Sequence, residues 1–221
     1  LHDALPICLL KIMAGIDKDF IGEAFPARAF KVGYLQQEPE LDESKTVKEN
    51  IFSGMGELPE LMAEFNRIND KFNDPDMNPD DMDKLIEKQG RVQEKIEALN
   101  GWEIDQVIEK AMDALRCPDG DSPVTNLSGG EKMRLRFATV FGLKPDLIIL
   151  DEPTNHIDEV TWEVLLEACK RTRSAILLVT HDYEFIEEFK PTVFWMLKGQ
   201  EVAVRYKDLD VLLEELKGDG K

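Results

Sequence analysis

The spacing of apolar and polar residues along the chain predicts alternating strands and helices. Two continuous apolar runs, at 147–150 and 175–180, are typical of strands buried in a parallel sheet. A third strand is predicted at 30–35, and an antiparallel hairpin at 193–197 and 201–206. Helical patterns lie at 9–16, 46–52, 102–115, 133–141, 161–170, 183–189 and 209–216. This order predicts an α/β fold with a largely parallel sheet.

The segment 57–100 carries two further apolar seams and predicts an antiparallel helical hairpin. Each seam repeats at alternating three- and four-residue spacing, which is the pattern of helices that pack in pairs. The seams consist of Leu58, Leu61, Phe65, Ile68 and Phe72, then Met82, Leu85, Gln89, Val92, Ile96 and Leu99. Pro75 and Pro79 break the pattern between them, and Asn78 followed by Pro79 favours a new helix start. The pattern leaves open whether the hairpin packs on the domain or protrudes as an arm that contacts a partner.

The composition is that of an acidic, folded protein. The chain has 221 residues with 45 acidic and 27 basic side chains, a formal net charge of −18. This argues against a general nucleic-acid binder, which needs a basic surface, but does not exclude a local contact with RNA. The three cysteines lie far apart without a CxxC pair, which disfavours disulfides and zinc and favours the cytoplasm. No apolar run approaches the roughly 20 residues that a membrane span needs.

The first seven residues, Leu1–Ile7, form a tract that we expect to be foreign to the protein. The chain begins without methionine, and the tract lacks the basic and apolar regions of a signal peptide. Its reverse translation resembles the end of a common sequencing adapter. We therefore expect residues 1–8 to be a non-native N-terminus and the domain to comprise residues 9–221. A native, disordered N-terminus is the alternative.

Two carboxylates follow the apolar run 147–150, in the sequence Asp151-Glu152-Pro153. They are expected at the carboxyl edge of a parallel sheet, where such folds bind ligands. There Asp151 suits a Mg²⁺ ion that bridges nucleotide phosphates, and Glu152 suits a general base that activates water. Acidic residues also follow strands in ordinary turns, so this motif alone leaves the function open.

Three weaker motifs lie at other predicted element ends. Leu127–Glu131 (LSGGE) presents Ser128 and two glycines at a helix start, which suits a γ-phosphate but is equally typical of a helix cap. His181 follows the apolar run 175–180 and could hydrogen-bond a γ-phosphate, or could be a structural histidine. Gln37 lies in a loop after a predicted strand and could reach a metal ion or the attacking water.

The order of these motifs resembles the ATP-binding cassette (ABC) family, in which they are the Q-loop, signature, Walker B and switch-histidine motifs. The D-loop would be Asn155–Asp158. The sequence DEPTNHID at Asp151–Asp158 resembles the soluble ABC-F class rather than transporter cassettes, and that class carries an arm where 57–100 lies. The resemblance implies an ABC-type P-loop NTPase domain, with a helical signature subdomain and an inserted arm at 57–100.

The resemblance further implies that the intact protein binds ATP with Mg²⁺ and hydrolyses it. Glu152 and His181 would be catalytic, and Gln37 and Asp151 would approach the metal ion, the latter through water. Nucleotide contacts are implied for Gln37, Leu127, Ser128, Gly129, Gly130, Glu131, Asp151 and Asp158. The signature residues among them would serve the nucleotide of a second cassette, which closes head to tail on the first.

The ABC-F class implies action on the ribosome, at the exit-tRNA site in the cytoplasm, with tRNA and rRNA as neighbours and no membrane. Two alternatives are the ATP-binding subunit of a membrane transporter and a non-catalytic regulatory cassette. The family places its Walker A loop before a helix that resembles 9–16, so here the loop would fall immediately before Leu9. Residues 1–8 do not contain that loop, so we expect this chain to lack the Walker A lysine and its phosphate-binding backbone. We therefore expect the chain alone to bind ATP poorly and to be essentially inactive.

Overall fold

The computed structural model describes residues 4–25, 27, 30–35, 41–73, 78–198, 201–206 and 210–211. The chain divides into two compact units. Residues up to 39 and from 144 onward form the first unit, and residues 40–143 form the second. The predicted loop at 36–39 lies outside the described residues. Of the predicted helix at 209–216 only 210–211 are described, and both are helical.

The elements follow the predicted order. The helices are α1 (Ala4–Met13), α2 (Val47–Ser53), α3 (Leu58–Lys71), α4 (Pro79–Ala98), α5 (Ile104–Ala114), α6 (Gly129–Gly142), α7 (Glu159–Arg171) and α8 (Tyr183–Phe189). The strands are β1 (Val32–Leu35), β2 (Leu147–Asp151), β3 (Ala175–Val179), β4 (Phe194–Lys198) and β5 (Glu201–Tyr206). The single helix predicted at 102–115 begins with a separate 3-10 turn, Gly101–Glu103, before α5.

The first unit contains the predicted parallel sheet, with β2 between β1 and β3. Ile148, Ile149 and Leu150 of β2 are fully buried, as a continuous apolar run predicts. The prediction that β3 is buried is wrong, because Ala175 is exposed and the rest of the strand is only partly buried. Among the described strands β3 pairs with β2 alone, and a strand at the edge of a sheet has fewer neighbours to cover it.

The first unit also contains the strands β4 and β5 and the helices α1, α7 and α8. The predicted hairpin is confirmed, since β4 and β5 pair antiparallel with Phe194 opposite Tyr206. Helix α1 packs against β2 and begins at Ala4, inside the tract 1–8. Gly15, which has a φ of +72°, follows the end of this helix. In the described parts of the chain, no helix is long and apolar enough to cross a lipid bilayer.

The second unit contains the predicted helical hairpin, made by α3 and α4. Leu58 at the start of α3 lies against Gly101, just beyond the end of α4, whereas Asn69 near the end of α3 pairs with Gln89 in the middle of α4, so the helices run antiparallel. Gln89, the one polar seam residue, donates its amide hydrogen bond to Asn69 Oδ1 at 2.6 Å. Leu58, Leu61, Ile68, Val92 and Ile96 of the seam are buried. The seam therefore predicted both the helices and the faces that they bury.

The helix starts in this unit follow local capping chemistry. Thr46 caps α2, and the predicted capping box with Glu49 is present. Asn78 caps α4 by accepting a hydrogen bond from the Asp81 N–H at 2.9 Å, with Pro79 in the first turn. Helices α2, α5 and α6 pack together in the same unit.

Candidate functional site

Asp151 ends β2 at the carboxyl edge of the parallel sheet, where the sequence predicts it. The residue is 4% exposed, and its Oδ2 accepts a hydrogen bond from the Tyr34 hydroxyl at 3.4 Å. Tyr34 lies on the neighbouring strand β1, opposite Ile149. Because parallel strands present their carboxyl ends at one edge, this carboxylate lies at the position where such sheets bind ligands.

Burial sets the charge behaviour of Asp151 and Tyr34. Desolvation raises the pKa of Asp151 above its usual range. This rise is offset only in part by the hydrogen bond from Tyr34 and by the positive charge of Lys11 on α1. Burial, with the charge of Asp151 beside it, raises the pKa of Tyr34 to about 12. Tyr34 therefore stays a hydrogen-bond donor at neutral pH, and Asp151 is a carboxylate that a bound cation would stabilise.

The donor chemistry of Asp151 fits Mg²⁺, which takes oxygen ligands from carboxylates, phosphates and water. Within the described ranges, no three or more His, Cys, Asp or Glu side chains gather into a metal site. In nucleotide sites Mg²⁺ usually takes most of its ligands from phosphate and water, and a single carboxylate such as Asp151 suits that setting. Gln37, the other predicted ligand, lies outside the described residues.

Glu152 follows β2 in the left-handed backbone region, with a φ of +48°. A residue other than glycine adopts this region at a cost of about 1 kcal/mol or more, so its surroundings must hold it there. The Glu152 N–H donates to the carbonyl of Val179 at the end of β3, at 2.8 Å, and its own carbonyl accepts from the Asn155 N–H at 3.2 Å. These two bonds fix Glu152 beside the end of β3.

His181 lies two residues beyond β3, and its imidazole pairs with Glu152. Nδ1 is 3.0 Å from each carboxylate oxygen of Glu152. The side chain of Glu152 is 21% exposed and that of His181 is 75% exposed, so the imidazole is accessible to a ligand. The hydrogen bond with Glu152 raises the pKa of His181, and the negative charge of Glu152 adds to the effect.

This pairing decides which ring nitrogen of His181 carries a proton. A carboxylate oxygen only accepts, so Nδ1 must donate to Glu152. In the neutral ring Nε2 is then an acceptor, and the ring can offer an Nε2–H to an anionic oxygen only as imidazolium. Because Glu152 raises the pKa of His181, the imidazolium form, which could donate from Nε2 to a phosphate, persists to higher pH.

The neighbours of His181 are held by hydrogen bonds that the sequence did not indicate. Thr180 Oγ1 accepts from the Asp182 N–H at 3.1 Å and lies 3.4 Å from Thr154 Oγ1. Asp182 caps α8 by accepting from the Phe185 N–H at 3.0 Å. The only signal for these contacts in the sequence was Asp182, immediately before the predicted helix 183–189, because Asp is a common N-cap residue.

Trp162 is another residue that sequence reasoning missed. It lies in the first turn of α7, and its indole N–H donates to Asp182 Oδ2 at 3.2 Å. Asp158, the last residue of the predicted D-loop, caps the same helix by accepting from the Thr161 N–H at 2.7 Å. The predicted nucleotide contact of Asp158 remains a prediction.

The signature turn lies in the second unit and forms a complete capping box at the start of α6. Ser128 Oγ accepts from the Glu131 N–H at 3.3 Å, and Glu131 Oε2 accepts from the Ser128 N–H at 2.8 Å and from Ser128 Oγ at 2.7 Å. The hydrogen bond from the Ser128 hydroxyl lowers the pKa of Glu131. The helix-cap interpretation of LSGGE is therefore confirmed. The contacts predicted for Leu127, Ser128, Gly129, Gly130 and Glu131 with a partner's nucleotide remain predictions.

Comparison with known proteins gives the family. A family profile described as ABC transporter matches residues 11–155, more than half of the chain. The chain is 43% identical over 192 residues to the energy-dependent translational throttle protein EttA of Mycobacterium tuberculosis and 38% identical over 192 residues to EttA of Escherichia coli. Each comparison covers 87% of this chain and 34% of the relative. The chain thus spans about a third of the length of these relatives.

Two solved structures share the fold of this chain. One, described as the ATP binding subunit of an ABC transporter, is 19% identical with a TM-score of 0.56, over 86% of this chain and 64% of that chain. The other, the RNase-L Inhibitor, is 17% identical with a TM-score of 0.56, over 96% of this chain and 34% of that chain. These likenesses confirm the predicted cassette fold. The profile match over residues 11–155 shows that the chain belongs to the ABC transporter family.

Proposed function

We propose that this cassette, in the intact protein, binds ATP with Mg²⁺ and hydrolyses it to ADP and phosphate with Glu152 as the general base. The observation that carries the proposal is the pairing of the Glu152 carboxylate with His181 Nδ1 at 3.0 Å. Glu152 follows directly after Asp151, which is buried. A general base must be held at a fixed position beside the reacting atoms. The left-handed turn at Glu152 and its hydrogen bond to Val179 supply that fixation.

The proposed reaction assigns one task to each side chain. Glu152 takes a proton from water as the water oxygen attacks the γ-phosphorus, and the bond to the bridging oxygen of ADP breaks. His181 donates from Nδ1 to Glu152 and, as imidazolium, from Nε2 to a γ-phosphate oxygen. Asp151 would hold Mg²⁺, which neutralises charge on the phosphate oxygens when bound. Tyr34 keeps Asp151 oriented through its hydroxyl.

Ser128 would act on the nucleotide of the partner cassette. Helix α6 begins at Gly129, and the N-terminus of a helix favours an anion through its N–H groups and dipole. A side chain added at Gly129 would meet no other atom within 4 Å, so the backbone at this turn is open to a close approach. The Ser128 hydroxyl would have to leave Glu131 in order to donate to a phosphate.

The test is ATP hydrolysis by the intact protein with the site of the second cassette silenced. Glu152→Gln should lower the rate of hydrolysis by roughly 10²–10⁴-fold and leave ATP binding in place. Glu187→Gln is the matched control, because Glu187 is an exposed carboxylate on α8 of the same unit. Turnover of the Glu152 variant at the parent rate would contradict the assignment of the base.

We further propose that the intact protein belongs to the ABC-F class and acts on the ribosome through the arm, residues 57–100. The support is the similarity to proteins named translational throttles, together with the self-contained seam of α3 and α4. The arm contains twelve acidic and six basic residues. Such a net negative charge is unfavourable for bare RNA phosphate and favours a contact with basic protein.

The basic side chains of α4 are the exception within the arm. They lie at three- and four-residue spacing along one side of the helix, as Lys84, Lys88, Arg91 and Lys95. Three of them pair with carboxylates: Lys84 with Asp81 at 3.4 Å, Lys88 with Glu64 and Arg91 with Glu87 at 3.7 Å. Exposed pairs of this kind contribute about 0–1 kcal/mol, so an RNA phosphate could displace the carboxylates.

Removing the arm tests this second proposal. The two ends of the arm are close, since a methyl group placed on Gly101 would lie 2.5 Å from Leu58 Cδ1. A short Gly/Ser linker in place of 57–100 should therefore spare folding and ATP hydrolysis in the intact protein and abolish co-sedimentation with ribosomes. If the protein without the arm co-sediments with ribosomes as well as the parent does, the arm does not have the proposed role. Recovery of the parent in a membrane fraction would favour the transporter alternative.

Substitutions within the arm separate the two kinds of partner. Changing the four basic residues of α4 to Gln should weaken ribosome binding if they contact RNA. The matched control neutralises four exposed acidic residues of the same helix, Asp80, Asp83, Glu94 and Glu97. Loss of binding in the control alone would assign the contact to basic protein.

A further inference from the structure

We propose that Trp162 is a positioning residue that holds the imidazole of His181 in place through Asp182. The catalytic meaning of this role rests on the proposed function, but the contact itself does not. Trp162 Nε1 donates to Asp182 Oδ2 at 3.2 Å, and Asp182 is the residue next to His181.

Asp182 joins the two helices of the site. Its Oδ1 accepts from the Phe185 N–H at 3.0 Å and so starts α8, while its Oδ2 accepts from Trp162 on α7. Its own N–H donates to Thr180 Oγ1 at 3.1 Å. Its carbonyl also accepts from the Ile186 N–H at 3.1 Å, so the residue that follows His181 is held by four hydrogen bonds to four different residues.

Thr180, the residue before His181, is held as well. Its hydroxyl accepts from Asp182 and lies 3.4 Å from the hydroxyl of Thr154, in the segment that follows Glu152. The His181 side chain is 75% exposed, so its orientation depends on the Glu152 bond and on the backbone that its two neighbours anchor. Anchoring both neighbours lowers the conformational entropy that the imidazole must lose to meet Glu152.

Trp162 is itself fixed by its surroundings. Its ring meets Phe185 edge to face, with centroids 5.5 Å apart and an interplanar angle of 89°, which is a favourable aromatic geometry. Phe185 is fully buried. The backbone N–H of Trp162 donates to the carbonyl of Asp158 at 2.9 Å, so the position of the indole follows the start of α7. A fixed donor on one helix therefore holds the residue beside His181.

The test uses the 221-residue chain and the tautomer of His181, read from two-dimensional ¹H–¹⁵N spectra of the imidazole at a pH where the ring is neutral. In the parent the Nδ1–H form should dominate, because Nδ1 donates to Glu152. Trp162→Phe keeps an aromatic ring against Phe185 and changes no charge, but removes the donor. Without that donor the imidazole should lose its alignment with Glu152, and the neutral ring of His181 should change from the mainly Nδ1–H tautomer to the mainly Nε2–H tautomer. A His181→Gln spectrum assigns the signals.

The matched control is Trp102→Phe. Trp102 also meets a phenylalanine edge to face, Phe65 at 5.1 Å, but it lies in the other unit. This variant should leave the tautomer of His181 unchanged. A parent-like tautomer in Trp162→Phe would overturn the proposal, and so would an equal shift in both variants.

A second variant tests the same bond from its other end. Asp182→Ser retains a side chain that can cap α8 but is too short to reach the indole, so it should reproduce the shift even if Trp162→Phe does not fold. A folded Asp182→Ser protein that keeps the parent tautomer would overturn the proposal. The tautomer is measured without ATP, so a failure of the proposed hydrolysis and a failure of this inference give different results.

Discussion

Replacing Gly101 with alanine tests how tightly the base of the arm is packed. The new methyl group would lie 2.5 Å from Leu58 Cδ1, 2.8 Å from Ile96 Cγ2 and 3.2 Å from the Ile96 carbonyl oxygen. Leu58 is 3% exposed and Ile96 is fully buried, so neither side chain can move into solvent, and the carbonyl belongs to the backbone. Overpacking of this kind costs about 1–3 kcal/mol.

The control is the same substitution at Gly90, in the middle of α4. No atom lies within 4 Å of a methyl group at that position, and alanine is more favourable than glycine in a helix by about 1 kcal/mol. The two Gly→Ala variants should therefore have opposite effects on the stability of one hairpin.

Native-state amide hydrogen exchange of α3 and α4 in the 221-residue chain measures both effects. Gly101→Ala should accelerate exchange in these helices by roughly 5- to 150-fold, and Gly90→Ala should slow it by roughly fivefold, as follows from about 1.4 kcal/mol for each factor of ten. Slower exchange in Gly101→Ala, or equal effects in the two variants, would refute the packing described for the base of the arm.

Three further predictions concern His181 and Ser128. His181 should titrate by NMR above the usual histidine pKa, because Glu152 bonds to it, and Glu152→Gln should lower that value. Since the folded pKa is raised, the stabilisation from this pair is present below the unfolded pKa and should fade as pH rises through the folded one. Ser128→Ala removes the cap of α6 and should lower the free energy of unfolding, measured by thermal unfolding, by about 1 kcal/mol. Ser128→Arg in the intact protein should block closure of the two cassettes without weakening ATP binding by its own cassette. A large loss of that affinity would contradict the head-to-tail assignment.

Local patterns explain which parts of the fold could be predicted. The continuous apolar run of β2 and the seams of α3 and α4 are signals carried by neighbouring positions, and each one gave the correct element and buried face. The capping box of Thr46 and Glu49 is likewise contained in four residues. The exposure of β3 could not be read from its sequence, because it depends on which strands lie beside it.

The contacts that hold the site depend on residues distant in sequence. Tyr34 reaches Asp151 across 117 residues, through the register of β1 on β2, and Trp162 reaches Asp182 across 20 residues. Neither Tyr34 nor Trp162 belongs to a motif that the spacing of carboxylates and glycines in the sequence indicates. Motifs therefore indicated Glu152 and His181, whose side chains the structure brings together, whereas the contacts of Tyr34 and Trp162 required the packed structure.

In the proposed mechanism Glu152 and His181 act as one unit in ATP hydrolysis, and a double-mutant cycle on single-turnover hydrolysis tests this coupling most directly. The intact protein, with the site of its second cassette silenced, would be compared with Glu152→Gln, His181→Ala and the double variant. Because residues that act as a unit are strongly non-additive, the double variant should hydrolyse ATP no more slowly than the slower single variant. Rates that fall by the product of the two single effects, or a single variant that hydrolyses ATP at the parent rate, would contradict the account.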